Sequence, residues 1–180
     1  MLSLTVLFWM YVFLFAVIGA MRGWAKEILV SFSVILAIFI VVVTEKIPFV
    51  ANAINGTADF WFRAIVVVVL VFFGYQSPNL PRLAGSVRFA RERLQDMLLG
   101  VFLGAVNGYF IFGTIWYYLS QAGYPFPTII SPPDPATTVG QAINNMVKFM
   151  PPAWLATGQP VELIFFAVAL AFVFVLVVFV

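Results

Sequence analysis

The sequence predicts an all-α fold: a multi-pass transmembrane helical bundle of about five spanning helices, N-terminus outside, with short interfacial amphipathic helices between them. Three observations predict it. Five apolar stretches run Leu4–Ala20, Ile28–Thr44, Phe60–Tyr75, Met97–Leu119 and Val161–Val180, each about as long as a helix needs to cross roughly 30 Å of hydrocarbon. Nearly all the charge lies between them. All eleven prolines also fall outside them, as they must if each stretch is an uninterrupted helix, because proline removes a helix hydrogen bond and lipid offers no water to replace it.

Composition bounds the function. Hydrophobic residues make up 64% of the 180 and charged residues 9%, and mean hydropathy is +1.10; soluble domains sit near 45–50% apolar and about 25% charged. The net charge is +2, so the basic pI does not argue for nucleic acid. Cysteine and histidine are both absent. That removes disulfides, thiol nucleophiles, Cys/His metal sites, the usual haem ligand and the commonest general base. No catalytic residue, metal or cofactor is expected, and the chain is read as a non-enzyme.

The first stretch has no basic residue ahead of it, so it reads as a retained span rather than a secretory signal. Arg22 and Lys26 follow it, and Arg82, Arg88, Arg91 and Arg93 follow the third span; only Lys46 and Lys148 lie on the opposite side. The positive-inside rule therefore puts the N-terminus outward and the arginine loops inward. The hairpin GAMRGWAKEIL holds Gly19, Arg22, Gly23 and Glu27. Arg22 and Lys26 anchor it at the headgroups, and Glu27 suits the positive end of the second helix dipole. On the third span, Asp59 and Arg63 stand at i,i+4 and form an anchoring pair near the outer interface.

Leu80 to Asp96 is apolar at three- and four-residue steps. This predicts a basic amphipathic helix on the anionic inner leaflet, held by Arg82, Arg88, Arg91 and Arg93, with Arg88 and Glu92 paired at i,i+4. The fourth span then carries Gly100, Gly104 and Gly108 on one face, a doubled small-xxx-small pattern that predicts a tight helix seam. Asn107 lies near the middle of that span and must find a partner, as an interhelical hydrogen bond or a substrate contact. No acid is expected deep in a span, which argues against a proton-coupled transporter.

The connection from Gln121 to Pro160 is long and proline-rich. Thr137 or Thr138 is expected to cap a short helix that runs through Met150 and stops at Pro151 and Pro152. Val139, Ile143, Met146, Val147 and Met150 would form its apolar face, lying on the outer membrane surface with Trp154 at the interface.

The two motifs together resemble the colicin V production protein (CvpA) family. Gly19, Arg22, Gly23 and Glu27 match its Gly-x-x-Arg-Gly-x-x-x-Glu hairpin, and Asp96, Gly100, Gly104 and Gly108 match the Asp-x-x-x-Gly-x-x-x-Gly-x-x-x-Gly run that enters its fourth span. Order, spacing and expected topology agree over Leu4 to Leu119. Asn107 departs from the family, which often has a basic residue there. On this resemblance, residues 1–120 form a four-helix membrane core, 121–160 a proline-rich outer loop and 161–180 a fifth span. The resemblance implies a multi-pass protein of the bacterial cytoplasmic membrane linked to bacteriocin export or envelope homeostasis, with no chemistry of its own. Expected partners are anionic inner-leaflet lipids and other membrane proteins, as a homo-oligomer or a larger complex, and no nucleic acid. Two other readings stand beside it. Aromatic residues at 18% suit an accessory subunit of a respiratory or photosynthetic complex. Asn107 and the span hydroxyls suit a small channel or transporter.

Overall fold

The computed structural model describes residues 4–48, 56–76, 90–130, 132–157 and 163–179. Within them the chain is all-helical: α1 (Leu4–Arg22), α2 (Trp24–Glu45), α3 (Thr57–Tyr75), α4 (Ala90–Gln121), α5 (Thr138–Val147), α6 (Pro151–Leu155) and α7 (Leu163–Phe179). The first four are long and apolar enough to cross a membrane. The last is apolar throughout, and its 17 residues span about 25 Å at the rise of an α-helix.

Helix α4 is the central element. Its glycine face takes α1 in antiparallel packing: Gly100 lies against Gly19, Gly104 against Phe15 and Gly19, and Gly108 against Val12 and Tyr11. A Cβ at Gly19 would overlap the Gly100 carbonyl oxygen, and one at Gly104 would overlap that of Phe15. The backbones touch because side chains are missing, which matters in lipid, where no hydrophobic push brings helices together. Further along, Phe8 meets Trp116, with ring centroids 5.8 Å apart. The opposite side of α4 packs on α2 and α3 through buried apolar residues that include Val30, Val34, Ile38, Val67 and Ile111. Helix α7 runs antiparallel to α2: Phe165 meets Phe39 at 5.5 Å and Phe174 meets Phe32 at 5.3 Å.

Three local expectations change. The segment from Ala90 to Asp96 is continuous with the fourth span as one 32-residue helix. No proline or glycine lies between Ala90 and Leu99 to break it, so these turns extend the span instead of forming a separate surface helix. Arg82, Arg88 and the side chain of Arg91 lie outside the described residues, as does the Arg88–Glu92 pairing; Arg93 is exposed.

Secondly, Thr137 does cap the short outer helix, its hydroxyl accepting from the Gly140 amide at 3.0 Å. That helix ends at Val147, however, and Pro151 and Pro152 start α6 rather than stop α5. Proline fits the first turn of a helix, where its missing N–H has no partner to lose.

Thirdly, part of the outer connection packs on the helix bundle. Met150, 2% exposed, and Pro151 sit against Gly113 of α4. The Trp154 indole donates to the Tyr109 hydroxyl at 3.1 Å, and that hydroxyl donates to the Phe149 carbonyl. Residues Phe149 to Leu155 therefore pack along the outer half of α4, because glycine at 113 opens a notch that the methionine and proline fill. Val139 of the expected apolar face is exposed.

Candidate functional site

Helix α1 ends and α2 begins across a single residue, Gly23, at φ +83°. That left-handed angle suits glycine, and the missing side chain also admits a partner: a Cβ there would lie 2.8 Å from Asp96 Oδ1. Asp96 accepts from the Trp24 amide at 3.3 Å. It supplies, from a helix 72 positions further on, an acceptor for one of the unpaired amides that open α2, and its negative charge faces the positive end of that helix.

One turn into α2 lies Glu27, with no exposed surface. Arg22 Nη1 stands 3.2 Å from Glu27 Oε1. Asn107 Nδ2 donates to Glu27 Oε2 at 2.7 Å and to the Glu27 carbonyl at 2.9 Å. Ser31 donates to Asn107 Oδ1 at 2.7 Å, and the Tyr75 hydroxyl approaches Glu27 Oε2 at 3.5 Å. Arg22 also donates to the Tyr75 carbonyl at 3.1 Å, and its guanidinium lies 4.2 Å over the centre of the Tyr75 ring. Four helices thus each contribute a side chain to one buried carboxylate and its counter-ion.

This placement extends the hairpin reading. Glu27 stands in the first turn of α2, where the helix dipole favours an acid, and it is also fully buried by its neighbours. The physical reason is pairing. A buried carboxylate is expensive unless it is ion-paired and hydrogen-bonded, and Arg22 and Asn107 supply both. Asn107 takes the interhelical reading: its amide and carbonyl ends are both occupied within the protein. Sequence reasoning missed Ser31 and Tyr75. Ser31 was detectable, standing four residues after Glu27 on the same helix face; nothing local marked Tyr75.

At the opposite end, Arg63 bonds Asp59 as expected, at 2.6 Å and 2.8 Å. It also pairs with Glu45 at the end of α2, at 3.2 Å, and its guanidinium lies 5.4 Å from the centre of the Tyr118 ring. The anchoring pair is therefore a clasp that ties α3 to α2 and α4. Among the described residues, no three His, Cys, Asp or Glu side chains are grouped so as to hold a metal.

The Arg22–Glu27–Asn107 site has no side chain arranged as a nucleophile beside a base. Its geometry fixes the α1–α2 hairpin onto α4. Comparison with known protein families, curated proteins and solved structures finds no match for the chain.

Proposed function

We propose that the chain is a non-enzymatic, multi-pass protein of the bacterial cytoplasmic membrane, similar to the colicin V production protein family, that organises or assists bacteriocin export or envelope homeostasis. One observation carries this reading. The two motifs behind the resemblance lie some 70 residues apart in sequence, yet they meet. Gly19 packs on Gly100 and Gly104, Gly23 on Asp96, and Arg22 and Glu27 join beside the same stretch of α4. Residues that matched as separate patterns behave as two halves of one joint. A rigid joint of backbone contacts and a buried ion pair suits a protein that holds or presents other membrane components.

The channel reading is weakened by the surroundings of Asn107. Its polar atoms are occupied, and the next polar residue along that face of α4, Thr114, is separated from it by Ile111. Val34, Ala37 and Ile38 of α2 are fully buried in the apolar packing beside it.

Extraction in mild detergent followed by native-size analysis tests the proposal. A small assembly, together with cross-linking to export or envelope proteins, is the expected result. Co-migration with a respiratory or photosynthetic complex at fixed stoichiometry would replace the proposal with the accessory-subunit reading. Flux in reconstituted vesicles that disappears with Asn107→Leu would replace it with the channel.

A further inference from the structure

A groove of about 450 Å³ opens between α2, α3 and α7. Its floor is made of small residues, Ser33, Gly74 and Ala171, and its lips of large exposed ones, Leu36, Phe73 and Phe172. The floor is drawn in because α2 and α3 touch there: a Cβ at Gly74 would overlap the Ser33 hydroxyl. Ser33 turns its hydroxyl back to the Leu29 carbonyl at 2.9 Å, which leaves the wall apolar.

Depth and charge select the occupant. A flexible hydrocarbon chain suits a slot with walls this apolar and a floor this narrow. The α2 wall runs from Leu29 to Leu36, about 10 Å of helix, on the half of the bundle next to Arg22. That lies within one leaflet's share of a hydrocarbon core of about 30 Å. Lys26 is one turn nearer the helix start than Leu29 and Ser33 and shares their face at i, i+3 and i+7. The slot therefore ends beneath a cation at the headgroup level of the leaflet that the arginine bias marks as cytosolic.

We propose that this groove seats one acyl chain of an anionic glycerophospholipid, with the lipid phosphate held at Lys26. The proposal goes beyond the organising role and rests on membrane placement alone.

The test uses the full chain, purified in detergent and stripped of lipid. It is titrated with phosphatidylglycerol and with phosphatidylcholine of identical chains, and native mass spectrometry counts the lipid retained. One phosphatidylglycerol per chain is expected, held about fivefold more tightly than phosphatidylcholine, the worth of one lysine near an anionic headgroup. Lys26→Gln should erase that preference and Lys26→Arg should keep it. Leu36→Trp, which narrows the slot, should weaken both lipids about tenfold, whereas Leu14→Trp, on an exposed position of α1, should change neither. Equal retention of the two lipids by the unaltered chain overturns the phosphate contact. Unchanged retention in Leu36→Trp, with helicity intact by circular dichroism, overturns the groove as the seat. If that variant loses helicity, the Lys26 variants decide. A stable dimer that binds no lipid assigns the groove to a second copy instead.

Discussion

Arg22 and Glu27 are five residues apart, a spacing that does not bring side chains together on one continuous helix. They meet because Gly23 breaks the helix between them at φ +83°, so that one residue ends α1 and the other lies in the first turns of α2. The energetic consequence follows from burial. Removing the cation leaves Glu27 charged and unpaired among helices, a loss of about 3–5 kcal/mol for a buried pair. Arg22→Gln should therefore lower stability by about that amount, read by thermal unfolding in detergent. The double variant Arg22→Gln with Glu27→Gln should recover most of it, since an amide in place of the carboxylate removes the stranded charge. Losses that simply add in the double variant would show that the two residues are not coupled. Asn107→Leu should also destabilise, by about 1–3 kcal/mol, because it strips donors from Glu27 and the acceptor from Ser31.

Among the elements, the α1–α4 seam is the least forgiving. At Gly19 and Gly104 an added Cβ meets backbone rather than a side chain that could move. Even Gly104→Ala should push the helices apart and lower the thermal midpoint in detergent, and Gly104→Leu should prevent assembly of α1 on α4. Leu99→Ala, on an exposed position of the same helix, should stay within about 0.5 kcal/mol of the unaltered chain. Gly113 makes a different prediction. Its neighbours are Met150 and Pro151, and a Cβ would stand 2.9 Å from the methionine sulfur. Gly113→Leu should dislodge α6 and leave α1 to α4 in place. Limited proteolysis should then cut the segment from Ala122 to Leu155 faster, with near-unchanged cleavage elsewhere.

The molecule as a whole is clasped at both ends. The Arg22 end holds α1, α2, α3 and α4 through one buried carboxylate, and the Arg63 end ties α3 to α2 through Glu45. Between the clasps the packing is mainly apolar. Alternation of the four long helices puts Arg93 and Val139 on opposite faces of the membrane. Because the chain has no cysteine, single-cysteine variants at these two exposed positions can be labelled in intact cells. Val139→Cys should react with an impermeant reagent from outside, and Arg93→Cys only after the membrane is opened. Labelling of both from one side would reverse the assignment.

The apolar runs, the proline punctuation and the glycine face were readable in the sequence, because each depends only on local spacing and on what lipid tolerates. The Asp59–Arg63 pair and the Thr137 cap were readable for the same reason, being contacts across three or four residues. The partners of Glu27 were not readable because they come from three other helices: nothing near it in the chain announces Asn107, 80 positions away, or Tyr75, 48 away. The outer segment was misread because an amphipathic pattern says that a face will be buried and does not say against what. Here a notch at Gly113 took Met150 and Pro151 in place of lipid. The sequence by itself determined that the chain folds as helices sized to a bilayer, since solvent and backbone hydrogen bonding leave few alternatives. Only the tertiary structure decided which polar residues share a site, because a buried charge is stabilised by whatever the fold brings within about 3 Å of it, and that is set by helix packing rather than by order along the chain.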